Sequence, residues 1–265
     1  MSFLNKEEVN ILARLLYDAE LNQTAIDKIT VSNKPDLSIE EAYQIQQQLN
    51  KLRIANGHRV FAPKLGLTSP AKLKQMNVEH PIYGYVFYSM LVNNNEEFSI
   101  HNYIQPRVEP EISVILKNEL RGPGITLQDV EENLDYVVSS VEVLDSRYKN
   151  YEFTLPDVIA DNTSAKGAVY SDEQVHLDPK ELILEKARLS INGEVKAEGN
   201  GSAVLGNPLE TIVFLANEMG KAGESVPANT PIMTGGMTAA VKIKPGDLIK
   251  VEFSTLGKIE IRAID

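Results

Sequence analysis

Two apolar stripes at helical spacing open the chain. Val9, Leu12, Leu15 and Leu16 recur on one face behind Asn5, which predicts a capped helix to about Glu20. Ala42, Ile45, Leu49 and Leu52 repeat the pattern behind Ser38, and Ser38 with Glu41 forms a capping box. Between them, Asn22 to Leu37 is polar and carries Pro35, which predicts a loop. One strand follows the helices, and from Gln105 the character changes to strands. Val60, Phe61 and Leu65 mark a strand over Arg59 to Gly66, and Pro70 suits the first turn of a short helix with Leu73 and Met76 as its apolar positions. Asn77 to Met90, with Pro81 and Gly84, predicts a mobile or partly extended segment.

The later elements are mostly short strands. Glu111 to Lys117 and Tyr136 to Leu144 flank a short helix opened by Thr126 and Asp129. Asn192-Gly193 predicts a hairpin turn between Arg188–Ile191 and Glu194–Ala197. Asn207-Pro208 with Glu210 starts a helix, and Leu248–Phe253 with Lys258–Ile261 forms a second hairpin. The expected class is α+β: a mixed β-roll or sandwich core with helices packed outside. Residues 1–60 form an N-terminal helical cap, 61–265 the catalytic core, and a lid segment lies near 70–90.

Charge and composition narrow the partners. With 26 basic against 37 acidic residues the net charge is -11, which argues against nucleic acid or an anionic membrane as partner. The chain has no cysteine, so disulfides, thiolate nucleophiles and cysteine metal sites are excluded. His58, His80, His101 and His176 have no helical metal-ligand spacing. No stretch approaches the ~20 apolar residues of a membrane span, and MSFLNKEEVN does not read as a signal peptide. A cytoplasmic protein is expected.

The strongest chemical signal is RVEPEISVIL, Arg107 to Leu116. Alternation along a strand puts Glu109 and Glu111 on one face and Ile112, Val114 and Leu116 on the other. Pro110 cannot donate to a ladder, which predicts an edge or rim. Two facing carboxylates need a shared proton, a Lys or Arg, or a hard divalent cation. Glu142 is the single acid in the next apolar strand, sharing a face with Val138 and Ser140. It is either paired with a neighbour such as Arg147 or completes a three-carboxylate site suited to Mg²⁺ or Mn²⁺. Lys64 stands beside Gly66 and can anchor an anion or move a proton. In IMTGGMT, Ile232 to Thr238, the glycines admit close backbone approach and Thr234 offers a hydroxyl. Ala160-Asp161-Asn162 reads equally well as a turn.

The order K-x-G-L-T-S, R-V-E-x-E-I, V-E-V-x-D-S-R, A-D-N, L-G-N-P, T-G-G and P-G-D closely resembles the hydratase/decarboxylase branch of the fumarylacetoacetase-like superfamily. The resemblance runs from about Lys64 to the C-terminus. It implies a β-roll core and a Mg²⁺ or Mn²⁺ ion on Glu109, Glu111 and Glu142, with Lys64 and Asp161 as catalytic residues. Ser69, Arg147, Asn162, Thr234 and Gly235 would bind a small 2-oxo diacid substrate. Ala62-Pro63 before Lys64 departs from the bulky residue expected there.

Two activities fall within that branch. One is decarboxylation of 4-oxalocrotonate (2-oxo-3-hexenedioate) to 2-hydroxypenta-2,4-dienoate in meta-cleavage degradation of aromatic compounds. The other is hydration of that dienoate. ELRGPGITLQDV, DSRYKNYEF and PIMTGGMTAAV look more like the decarboxylases. A non-catalytic subunit stabilising a hydratase is the reading of another class, and hydrolysis of an acylpyruvate a distant one. The resemblance also implies a homo-oligomer and a complex with the hydratase of the next step. Leu73, Met76, Val78, Ile82 and Val86 read equally as an apolar lid over the far end of the substrate or as ordinary core.

Overall fold

Both N-terminal helices form, and each is capped as its sequence requires. In the computed structural model, which describes residues 3–70, 73–74 and 80–265, α1 runs over Lys6–Leu21. Asn5 Oδ1 accepts from Glu7 N and Glu8 N at 2.9 and 3.1 Å, and Glu8 Oε2 accepts in return from Asn5 N at 2.7 Å. The segment that follows is not all loop. Ile29–Ser32 forms the short helix α2, because Ile29 is fully buried among the apolar residues of the two long helices. Helix α3, Ile39–Ala55, is closed by the Ser38–Glu41 capping box. The stripes of α1 and α3 meet each other and the helix Leu155–Ala160, burying Leu12, Leu16, Ile45, Leu49, Val158 and Ile159 together.

Among the described residues, an eight-stranded mixed sheet carries the chemistry. Its strands are β1 (Val60–Gly66), β2 (Ile82–Phe87), β3 (Leu91–Val92), β5 (Arg107–Leu116), β6 (Leu134–Leu144), β7 (Ala165–Tyr170), β10 (Ile232–Gly236) and β11 (Val241–Lys242). They run in the order β2-β1-β10-β5-β6-β7-β3, with β11 paired to β5 beyond β10. Because β2 also approaches β7, the sheet curls back on itself into a half-barrel. A second sheet has the order β4-β13-β12-β8-β9, from Glu97–Ser99, Lys258–Ile264, Leu248–Phe253, Lys186–Ile191 and Glu194–Asn200. The main core lies where Ile112, Val114 and Leu116 of β5 meet Leu189, Val251 and Ile261 of the second sheet. Helix Leu209–Lys221 adds Ile212 and Leu215 to it. This is the expected α+β arrangement. No helix among the described residues is long and apolar enough to cross a membrane.

Two local expectations change and one is sharpened. Pro110 does not mark an edge: β5 is central, with β6 on one side and β10 and β11 on the other. The proline sits where the neighbour changes, between Gly236↔Glu111 and Val241↔Val108, so its missing N–H falls at a break in the ladder. Of the two forms expected within Asn77 to Met90, the extended one holds over Ile82–Phe87. Ile82–Phe87 pairs antiparallel with β1, placing Lys64 opposite Gly84, because Val86 and Phe87 bury against Met90 and Met233. Ile82 and Val86 are therefore strand residues rather than parts of a free lid. Leu73 is buried, and Met76 and Val78 lie outside the described residues. Strand β7, AKGAVY, has too few large apolar residues to stand out in the sequence.

Candidate active site

The register of β5 on β6 assembles the acidic cluster. Glu109 lies directly opposite Glu142, and Glu111 opposite Ser140. Alternation puts these side chains on one face, and the curl of the sheet turns that face inward. Glu109 is 5% exposed and the other two glutamates 0%. Ligand oxygens of all three lie within 4.8 Å of one another. Like charges directly opposite on adjacent strands are destabilising by themselves. Burial, then the charges of Glu142 and Glu109, holds Glu111 well above the usual carboxylate range. Burial pushes Glu142 up to about 7, with Lys64 pulling the other way.

The protein only partly answers that charge. Lys64 Nζ, on β1, is 2.8 Å from Glu142 Oε2, and the lysine is 1% exposed. This contact is a charge contact rather than an aligned hydrogen bond, so both Glu142 oxygens and Glu111 Oε1 lack a hydrogen-bond donor among the described residues. The other Glu111 oxygen accepts from Gly235 N at 2.7 Å. Gly235 reaches it with φ +110°, a backbone open to glycine. At Gly236 a Cβ would collide with the Glu109 carboxylate. The Thr-Gly-Gly motif is therefore shaped around two of the three acids.

A divalent cation fits these residues. Among the described residues, one ammonium, that of Lys64, stands against Glu111 and Glu142, and Glu109 brings a third carboxylate to the same buried cluster. Buried carboxylate oxygens without donors are costly unless something positive completes them. An all-oxygen donor set suits a hard ion such as Mg²⁺ or Mn²⁺. Tyr170 Oη is a further buried group without a hydrogen-bond partner among the described residues, and burial with the nearby Glu111 and Glu142 charges pushes its pKa well up.

Lys64 and Glu109 open onto a cavity of about 570 Å³. Its walls include the apolar Leu67, Ile82, Leu144 and Val158, the hydroxyl residues Thr163 and Ser164, and the cations Lys28 and Arg107. Thr163 Oγ1 and Ser164 Oγ are buried without a hydrogen-bond partner among the described residues. With Asn162 they form three successive residues at positive φ (48, 54 and 60°), an uncommon backbone for residues other than glycine. Sequence reading stopped at Asp161-Asn162 and missed this pair. The signal was present as two more small hydroxyl residues in the same polar run.

Other expected site residues make contacts of their own among the described residues. Arg147 and Asp161 form a fully buried ion pair, and Arg147 also donates to the Asp161 and Ala165 carbonyls. Neither lines the cavity. Burial raises Asp161 to about 6 although Arg147 draws it down. Asn162 bridges the backbone of Tyr85, accepting from its N–H and donating to its carbonyl at 2.9 Å each. Thr234 Oγ1 donates to the Ile112 carbonyl at 3.0 Å. Ser69 accepts from Leu73 N through its carbonyl, at the start of the segment outside the described residues. Gly235 contacts an acid of the cluster. The charges at 147 and 161 neutralise each other, so Arg147 pairs with Asp161 rather than with Glu142.

The family described as fumarylacetoacetate (FAA) hydrolase C-terminal matches residues 60–263, and the chain belongs to that family. Over 261 residues it is 40% identical to a 4-oxalocrotonate decarboxylase of Pseudomonas putida, covering 98% of each chain. The structure of 4-oxalocrotonate decarboxylase from Pseudomonas putida G7, complexed with magnesium and adipate, aligns with a TM-score of 0.95 at 40% identity, covering 100% of both chains. A 2-hydroxyhexa-2,4-dienoate hydratase of Comamonas testosteroni is 32% identical over 262 residues, covering 97% of this chain and 98% of its own.

Proposed function

We propose that this protein is a carboxy-lyase that decarboxylates 4-oxalocrotonate to 2-hydroxypenta-2,4-dienoate and CO₂, with Mg²⁺ or Mn²⁺ held by Glu109, Glu111 and Glu142. The observation that carries the reading is the buried three-carboxylate cluster beside Lys64 at a cavity. The 40% identity to a 4-oxalocrotonate decarboxylase over 98% of both chains supports it.

The reaction breaks the C5–C6 bond. Its electron pair becomes the C4=C5 bond, the C3=C4 pair moves to C2=C3, and the carbonyl pair withdraws onto the C2 oxygen, which takes up a proton. When bound, the cation supplies a Lewis acid for that oxygen. Lys64 contributes a fixed ammonium beside the cluster, where it balances substrate charge and can deliver the proton. The Thr163 and Ser164 hydroxyls, unpartnered and held by a constrained backbone, orient the bound acid. Leu67, Ile82, Leu144 and Val158 give the cavity an apolar wall. That wall favours departure of the C6 carboxylate as neutral CO₂.

The same reading moves Asp161 and Arg147 from the catalytic and substrate-binding roles that the resemblance implies to support of the 161–165 turn, which their pair anchors. It also keeps a homo-oligomer and contact with the hydratase that consumes the product. Exposed Ile11, Leu21 and Ile54 on the N-terminal helices offer apolar surface for either, to be tested by light scattering of the protein alone and with a hydratase. The function itself is tested by offering 4-oxalocrotonate and 2-hydroxypenta-2,4-dienoate separately with Mg²⁺. The expected result is CO₂ and dienoate from the diacid. Rapid hydration of the dienoate with no CO₂ from the diacid would overturn the assignment.

A further inference from the structure

A diacid has a second carboxylate, and the cavity must hold it somewhere other than the acidic cluster. Among the described residues, three cations reach the cavity wall: Lys64, Lys28 and Arg107. Lys64 is engaged with Glu142. Arg107 stands two residues before Glu109 on β5, so it shares the face that carries Glu109 and Glu111. The separation along the strand is about 6.6–6.8 Å, comparable to an extended six-carbon chain. Arg107 is half-buried, and no carboxylate among the described residues forms an ion pair with it.

Its guanidinium is instead stacked on Tyr151, 3.8 Å from the ring centroid. Tyr151 also lines the cavity. Tyr151 and its neighbour Asn150 have φ of 58 and 59°. Positive φ is an outlier for a bulky side chain and persists only where the surroundings impose it. The strained turn thus holds an aromatic ring beneath a guanidinium at the cavity wall. Stacking restrains the guanidinium plane and leaves its N–H fork to a carboxylate.

We infer that Arg107, held on the face of Tyr151, docks the distal carboxylate of the substrate and makes the site select diacids. The inference rests on the proposed diacid reaction and adds a specificity-determining residue to it. A cation on the departing carboxylate favours its charged form, so this contact weakens as CO₂ forms. Arg107 therefore acts on binding more than on turnover. It holds the carboxylate oxygens while the bond to be broken lies against the apolar wall. Lys28 is the competing anchor, but it lacks a ring platform and a planar fork.

The test uses the Mg²⁺-loaded protein and two unreactive probes that differ only in the distal carboxylate, 2-oxohexanedioate and 2-oxohexanoate. Calorimetric titration compares wild type with R107M, R107K, Y151L and K28M, each checked for unchanged Mg²⁺ binding. R107M should weaken the diacid at least about tenfold and leave the monoacid unchanged. R107K and Y151L should give smaller losses of the same kind. With 4-oxalocrotonate, KM should rise in parallel while kcat holds or rises. Unchanged diacid affinity in R107M, equal loss for both probes, or a diacid loss carried by K28M instead would each overturn the inference. Should R107M not fold, unaltered diacid affinity in both R107K and Y151L overturns it equally. A wild type that prefers the diacid through Arg107 but releases no CO₂ would sink the proposed reaction and leave this docking point standing.

Discussion

Arg147 and Asp161 are as deeply buried as the three glutamates, yet the two clusters of charge have opposite characters. The Arg147–Asp161 pair is complete: charges cancel, and the guanidinium also donates to the carbonyls of Asp161 and Ala165. The glutamate cluster is incomplete, with one lysine against three acids and three carboxylate oxygens lacking donors among the described residues. The first arrangement needs nothing from outside and ties the 161–165 turn to the strand end at Arg147. The second is stable only when a cation or protons complete it. Burial of charge alone therefore does not mark a site; burial without internal compensation does.

The largest expected effect that sharpens this contrast is at Lys64. Lys64→Met keeps much of the side-chain volume and removes the ammonium. Turnover should fall by roughly 10²–10⁴, while Mg²⁺ affinity, measured by calorimetry, holds or rises because a competing positive charge is gone. A Lys64→Met protein with wild-type kcat would return the lysine to a purely structural role.

Arg147→Met attacks the complete cluster. Removing one partner of a buried pair leaves Asp161 uncompensated and should cost about 3–5 kcal/mol in urea unfolding. Mg²⁺ affinity of the folded fraction should stay close to wild type. If stability were retained and Mg²⁺ binding lost, the two clusters would not be separate.

A smaller effect is expected at Thr234, whose hydroxyl is spent on the Ile112 carbonyl. Thr234→Val should cost about 1 kcal/mol of stability and leave KM unchanged. A raised KM with unchanged stability would restore Thr234 to the substrate.

Much of this contrast was legible in the sequence, but not all. Period-two alternation placed Glu109 and Glu111 on one face and Glu142 on the site face of its own strand. That Glu109 would lie opposite Glu142 depends on register between strands 33 residues apart (142 - 109), which local pattern does not encode. Lys64 is separated from β6 by two strands in the sheet order and reaches Glu142 only through the curl. Arg147 and Asp161 were expected at the site through the family resemblance; their mutual pairing is a tertiary fact. Thr163 and Ser164 were hidden because a polar run after an apolar helix reads as a turn, and a left-handed backbone at non-glycine residues leaves no compositional mark. Pro110 misled because an interrupted ladder inside a sheet tolerates proline as an edge does.

The most direct test of the difference between the clusters is equilibrium dialysis of Mg²⁺ against wild type and Glu111→Gln. Glu111 is fully buried and packed against Gly235 N, so the substitution changes charge with little change in shape. The account predicts one Mg²⁺ per wild-type chain and strongly weakened binding in a folded Glu111→Gln protein. Equal Mg²⁺ binding by the two proteins, or none by wild type, would contradict it.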